Sequence, residues 1–437
     1  MAFATVYEQY AAANGRLARG DRLFFTGRGG QGRISERKSP GSRQLRYPRI
    51  GIFTGGGTSH SWLWFVDLFD RMGFHDLSFL NEINVQQGGL AGLDVMAISG
   101  GDTFAIATAL GEKGAGEIKR FIENGGLYIG SCAGAYLAMN SSKSPLNLFN
   151  YAAVKITNLS KYLPQCREMP NKFSTAYGCC FVFHPVRESI GLRFNGTVPF
   201  AGAGALTAPL YGGPAMIACD GTKTLALYEA FTNKTIFLVD EALAYETLIG
   251  KAAAVRTNLG RGRIYLFGPH LEHPHYPEAN RLIADAIFWD AGRSSRSNPA
   301  HRLKSEKLTE SDSRDLIRDL KRELSNSRIV AAGLELSPIR WLIGAKYYEP
   351  EKIRVFLESM WRRLKVLEAQ GQLSTTRWTP TDLRSWATEI TSMLRLMKNE
   401  LDQNHDTLAL ADRLFALLQK LTAAFHHLYF LTTSLPN

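Results

Sequence analysis

The sequence has few cysteines, no long apolar run and, in its middle, no surplus of one charge. Its five cysteines among 437 residues are Cys132, Cys166, Cys179, Cys180 and Cys219. An odd number without CxxC spacing suggests neither a disulfide framework nor a zinc cluster. No stretch reaches the roughly 18 uninterrupted apolar residues of a membrane helix, so no such span is expected. The first residues include Glu8 and Asp21 and lack an apolar core. Neither a signal peptide nor a transit peptide is therefore expected, and a reducing, cytoplasmic setting is. No GxxxxGK[ST] occurs, so ATP-dependent use of any released ammonia would need another polypeptide. No internal repeat of about 20–50 residues is present.

The hydrophobic share of 45% and charged share of 21% are those of a folded globular chain, and the length predicts two or three domains. A net charge of +11 and a pI near 9.4 raise the question of an acidic partner. Residues 1–47 carry 9 Lys/Arg against 3 Asp/Glu, residues 48–290 carry 19 against 20, and residues 291–437 carry 23 against 17. The segment charges are thus +6, −1 and +6. Nucleic-acid binding is not expected except through the basic lead.

Residues 1–47 are a Gly/Arg-rich lead with a short helix at 5–18, and 25–47 show no apolar periodicity. From Ile50 the texture changes. Apolar runs at 49–56, 93–101, 126–132, 222–230 and 262–269 read as strands, and 59–72, 103–111, 114–124 and 133–140 as helices between them. Alternation of this kind over 48–290 predicts an α/β domain, a mostly parallel sheet with helices on both faces. A linker at 291–307 leads to a domain at 308–437 with helices near 308–331, 350–370, 380–403 and 406–432, separated at Ser337-Pro338, Gly371 and Thr379-Pro380.

Gly130-Ser131-Cys132-Ala133-Gly134 falls where a buried strand is expected to enter a helix. A glycine-flanked nucleophile at such a turn is forced into an exposed, strained position, and the helix N-terminus favours a thiolate. The same five residues also suit an inert cysteine in a tight turn. A second motif, Gly268-Pro269-His270-Leu271-Glu272, follows the last expected strand and sits at the same sheet edge. His270 is then the base for Cys132 and Glu272 its orienting group. Ser99-Gly100-Gly101-Asp102 ends another strand, and backbone N–H groups of Gly101 and Ala133 are the candidate oxyanion hole. Its alternative is a turn in which Asp102 caps a helix.

Further candidates line the substrate side. Gly56, Gly57 and Thr58 end the first strand and could receive an anionic or carboxylate group, or simply form a crossover turn with Thr58 or Ser59 as cap. Asp102, Tyr136 and Gly213, the last within Tyr211-Gly212-Gly213-Pro214, complete the set. His184 reads as a loop histidine. His273 and His275 lack a regular element to make a metal site with His270, and neither metal nor cofactor is expected.

The segments IFTGGGTSHSW, VMAISGGDTFAIATALGEKGAGEIKRFIENGGLYIGSCAGAYLAM and GRIYLFGPHLEHP resemble the class I glutamine amidotransferase-like superfamily. Within it they are most similar to the domain at the N-terminus of eukaryotic-type biotin-protein ligases. The resemblance covers about residues 48–290. It implies a flavodoxin-like sheet, a nucleophilic Cys132 and a triad completed by His270 and Glu272. Glutamine-hydrolysing members of the superfamily usually carry Gln where this chain has Tyr136, which leaves the amide or acyl substrate unassigned. Gly27-Arg28-Gly29-Gly30 in the lead is similar to the biotin-binding loop of the ligases but stands without the rest of a ligase domain.

The expected function is a cysteine-dependent hydrolase or amidotransferase-like enzyme acting on a small-molecule or peptide-like amide through a Cys132 thioester. The alternatives are a glutaminase-like subunit of a synthetase complex, docked through the C-terminal helices, and a non-catalytic scaffold that retains the fold. Any polyanion binding by the lead should weaken steeply with salt and vanish on deleting residues 1–47, with Cys132 reactivity unchanged, as filter binding and thiol labelling would show.

Overall fold

The computed structural model describes residues 23–26, 28, 43–160, 182–197, 199–200, 203–219, 221–291, 306–344, 346–375 and 378–434. The helix expected at 5–18, the body of the linker, and Cys166, Cys179 and Cys180 lie outside the described residues. Contacts divide the chain into two compact units. One is built on a large sheet; the other takes in the C-terminal helices together with His75–Phe79.

In chain order the elements of the first part are β1 (Leu23–Thr26), β2 (Arg43–Arg46), β3 (Ile50–Phe53), α1 (Trp62–Met72), β4 (Leu77–Leu80), α2 (Glu82–Gln86), β5 (Val95–Ile98), α3 (Thr103–Glu123), β6 (Leu127–Ser131), α4 (Ala133–Ala138) and β7 (Val154–Ile156). They continue with β8 (Val186–Phe194), β9 (Ala205–Leu210), β10 (Met216–Ala218), β11 (Lys223–Phe231), β12 (Ile236–Phe237), α5 (Glu241–Leu248), β13 (Ala252–Leu259), β14 (Gly262–Phe267) and α6 (Pro277–Asp290). Strands β1 and β2, within the lead, pair with each other in parallel.

The sheet runs β12-β8-β11-β13-β14-β6-β5-β3. Its flavodoxin-like core is parallel: β14 pairs β6, β6 pairs β5 and β5 pairs β3. Strands β3, β5 and β6 are buried at every position, which is why they read as unbroken apolar runs. From β14 outward the pairing reverses, with β13, β11, β8 and β12 joined antiparallel and β9 added on β8. This antiparallel extension went unseen in the sequence because only Lys223–Phe231 of its strands forms a conspicuous apolar run. The two helices expected at 103–111 and 114–124 form one kinked helix, α3, with the break at Gly111 (φ 57°, ψ −170°).

Two glycines let α4 lie directly on the sheet. A Cβ on Gly134 would stand 2.1 Å from the Ile98 carbonyl oxygen, and one on Gly130 would stand 2.3 Å from that of Gly134. The Tyr128 hydroxyl donates to the Gly134 carbonyl at 2.7 Å, holding the turn from the other side.

In the second unit, α7 (Glu310–Leu334), α8 (Pro350–Glu368), α9 (Pro380–Asp402) and α10 (Leu408–Thr433) form a bundle in which α7 and α10 each pack on both α8 and α9. Its core includes Leu320, Phe356, Met360, Leu394, Leu418 and Phe425. Thr309 caps α7, and Thr379 with Asp382 forms a capping box at the Thr379-Pro380 break. Among the described residues no helix is long and apolar enough to cross a membrane.

Gly134→Ala should therefore cost about 2 kcal/mol or more by urea unfolding, as overpacking against backbone. Gly116→Ala, in α3 where an added Cβ meets nothing within 4 Å, should stabilise by about 0.5–1 kcal/mol.

Candidate active site

Cys132 is the residue between β6 and α4, with φ 52° and ψ −107°. A non-glycine residue at positive φ is strained by about 1–3 kcal/mol, and the surrounding packing must hold it there. Here the Cys132 N–H donates to the Phe267 carbonyl at 2.9 Å, and the Cys132 carbonyl accepts from the N–H groups of Ala135 and Tyr136, both at 3.1 Å. The elbow is thus pinned to the end of β14, the strand that delivers Pro269 and His270.

His270 is 2% exposed and Glu272 wholly buried. Nδ1 of His270 lies 2.7 Å from Glu272 Oε1, and the ring also hydrogen-bonds the Cys132 side chain. Burial works against the imidazolium, but attraction to Glu272 and Cys132 and the hydrogen bonds to both outweigh it. The His270 pKa is pushed up from 6.5 to about 10. For Glu272 burial likewise opposes the charge, and His270, the residue's own backbone N–H and the Ser99 hydroxyl overcome it, holding the carboxyl below its usual 4.5. His273 goes the other way, lowered to about 4 by burial and then by repulsion from His270 and His275. It is a neutral neighbour.

Three of the expected site residues are thus brought together. The two oxyanion candidates sit at donors that the local fold leaves over. Ala133 is the first residue of α4, where a backbone N–H has no acceptor within the helix. Gly101 bridges Thr58, but the bonds of that bridge run from Ser59 N–H to Gly100 and from Asp102 N–H to Gly57. The Gly101 N–H stays outside the ladder.

The substrate-side candidates are mostly framework. Asp102 caps α3, its Oδ1 accepting from the N–H groups of Phe104 at 3.0 Å and Ala105 at 3.2 Å. Gly57 (φ 83°) packs on that helix, where a Cβ would stand 2.4 Å from the Ile106 nitrogen. Thr58 is buried and donates to Gly55, while the exposed Gly56 donates its N–H to Glu82. The residue that caps α1 is Ser61, not Thr58 or Ser59, and its side chain makes no capping hydrogen bond. Gly213 abuts the Gly268 backbone, and the buried Tyr136 accepts a hydrogen bond from Asn158 Nδ2 at 2.9 Å and lies 6.5 Å, ring to ring, from His184. Among the described residues no cluster of three His, Cys, Asp or Glu is arranged to hold a metal.

Several residues of the site were not singled out by sequence. Trp64 of α1 stands edge-on to His270 with centroids 4.9 Å apart and also packs on His273 at 4.5 Å; Tyr211 lies 5.9 Å from His270. Asn280 Nδ2 donates to the Leu271 and His273 carbonyls at 2.6 and 3.0 Å and is itself held by Arg71, fixing the turn after His270. Ser99 and Ser131 donate to Glu272, each at 2.9 Å. Nothing in the sequence marked the two serines, because the burial that makes Glu272 collect donors is a property of the fold.

Residues 91–148 match the family model for biotin-protein ligase, N terminal. The matched segment holds the Ser99-Gly100-Gly101 turn and the Cys132 elbow and ends before His270. Solved structures similar to the chain include a GMP synthase subunit protein from Thermoplasma acidophilum (14% identity, 55% of this chain and 92% of that one, TM-score 0.35). A cytoplasmic protein from Salmonella typhimurium is 13% identical over 55% of this chain and 98% of its own, with TM-score 0.35. A glutamine amidotransferase from Thermotoga maritima is 7% identical over 56% and 99%, with TM-score 0.35. A search of curated proteins found no match.

The raised His270 pKa fixes a sign. A group protonated more readily in the folded state contributes stability that is complete below about 6.5 and is lost as pH rises through about 10. Unfolding free energy from urea titrations should fall across that window, and His270→Gln should flatten the slope.

Proposed function

We propose that the protein is a cysteine-dependent acyl-transfer enzyme that cleaves an amide or related acyl bond through a thioester on Cys132. The observation that carries this reading is the strained Cys132, its side chain hydrogen-bonded to a buried imidazole that Glu272 holds from Nδ1. A cysteine kept only for packing has no need of positive φ, nor of a buried ionic partner for its neighbour.

The chemistry follows from the arrangement. The Cys132 thiolate attacks the carbonyl carbon, forming the C–S bond while the carbonyl electron pair moves onto oxygen. The N–H groups of Gly101 and Ala133 receive that oxyanion, a pair in which one donor is worth about 10²–10³ in kcat. The imidazolium of His270 gives its proton to the departing amine as the C–N bond breaks, leaving the thioester. His270, now neutral, takes a proton from water, the resulting hydroxide adds to the thioester, and Cys132 leaves as thiolate. Glu272 stays ionised throughout and keeps the imidazole in one orientation.

Two measurements test this. Iodoacetamide should modify Cys132 well before Cys219, the half-buried free cysteine that serves as internal control. On a panel of amides and activated acyl esters, Cys132→Ala should abolish turnover and loss of the acyl-enzyme mass should accompany it, with the melting temperature within a few degrees. Turnover that survives Cys132→Ala refutes the reading.

A further inference from the structure

Ser99 and Ser131 have no part in the bond changes above, yet both are wholly buried against the group on which His270 depends. Ser131 Oγ donates to Glu272 Oε2 at 2.9 Å. Ser99 Oγ donates to Oε1 at 2.9 Å, beside the 2.7 Å contact of His270 Nδ1 with the same oxygen. We propose that Ser99 and Ser131 are positioning residues that hold Glu272 as a fixed anion behind His270 and thereby set the pH range over which Cys132 is a nucleophile. The inference rests on the reading of Cys132 as that nucleophile.

An ionised carboxylate only accepts hydrogen bonds, and one removed from water reverts to the neutral acid unless donors replace its hydration. Protonated Glu272 would no longer balance the imidazolium, and the thiolate–imidazolium pair would lose its counter-charge. The two hydroxyls supply one donor to each oxygen. Their place in the chain is as telling. Ser131 immediately precedes Cys132, and Ser99 immediately precedes the Gly100-Gly101 turn. One carboxylate therefore ties together the elbow, the histidine loop and the strand end that presents the oxyanion candidate.

That third tie is tight, since a Cβ on Gly100 would stand 3.0 Å from Cε1 of His270. Ser99 is itself restrained: Ser61 Oγ lies 3.0 Å from its hydroxyl, and Ser59 Oγ lies 2.9 Å from that of Ser61. Ser59 Oγ and Ser61 Oγ also lie 3.1 and 3.3 Å from the Gly100 carbonyl oxygen, each hydroxyl having one proton to give among these contacts.

The experiment is the pH dependence of Cys132 alkylation by iodoacetamide in the full chain, read by peptide mass spectrometry. In Ser99→Ala/Ser131→Ala the acid limb should move up by about 1 pH unit, with the rate at pH 6 down about tenfold. Thr at both positions, which restores the hydroxyls, should bring the limb back. In a Glu272→Gln background the two alanines should shift nothing further, because their effect passes through the carboxylate.

An unmoved limb in a reactive, folded double variant overturns the inference and leaves the nucleophile reading standing. So does an undiminished shift in the Glu272→Gln background. A wild-type Cys132 no more reactive than Cys219 overturns both. Should the alanine variants fail to fold, carboxyl ¹³C NMR of the wild type, assigned with Glu272→Gln, decides: Glu272 is expected ionised across the folded range, and titration at or above about 4.3 refutes the proposal.

Discussion

The candidate site depends on one buried negative charge. Glu272 has no exposed surface, and an imidazole, two hydroxyls and its own backbone N–H take the place of water around its carboxyl. That requirement dictates much of the surrounding architecture. Ser99 comes from the end of β5, Ser131 from the end of β6 and His270 from the loop after β14. These three strands are neighbours in the parallel core, so their carboxyl ends converge on one edge. Convergence of strand ends is what parallel sheets provide, and here a charge is the point on which they meet.

The glycines serve the same end by allowing backbone to approach backbone. Gly130 and Gly134 bring α4 against β5 and β6, and Gly213 and Gly268 bring two loops into contact beside His270. Without these approaches Cys132 could not be held at positive φ with its side chain on His270. The strain at the elbow is offset by burial and hydrogen bonds around it, so the cost is carried by the domain as a whole and not by the residue alone.

The antiparallel half of the sheet has a different part. Strand β13 pairs antiparallel with β14 on the side away from β6, so the strand carrying the histidine loop is bonded on both edges. Strand β9 contributes the Pro209 carbonyl, which accepts from the His270 N–H at 2.9 Å, and leads to Tyr211 at the imidazole. The helical unit meets its own polar requirements by other means. Ser327 and Thr391 pair at 3.0 Å inside the bundle, and Ser359 lies 3.0 Å from Nε2 of the buried His426.

Read one residue at a time, the sequence determined the parallel strands, the four long C-terminal helices, the Cys132 elbow and the order in which Cys132, His270 and Glu272 follow strand ends. Those features are written locally, in apolar runs, glycine spacing and caps, so they are legible without a partner. The break of α3 at Gly111 was legible for the same reason. What the tertiary structure decided is everything set by pairing across distance. The Asp102 carboxylate caps α3 and the Thr58 hydroxyl donates to the Gly55 carbonyl, bonds that exist only once the backbone is folded. Apart from β11, the antiparallel strands escaped because their short segments take their identity from neighbours far along the chain. In the sequence Ser99 and Ser131 stand only at the ends of expected strands. Only burial of Glu272, more than a hundred residues away in sequence, gives their hydroxyls a charge to hold.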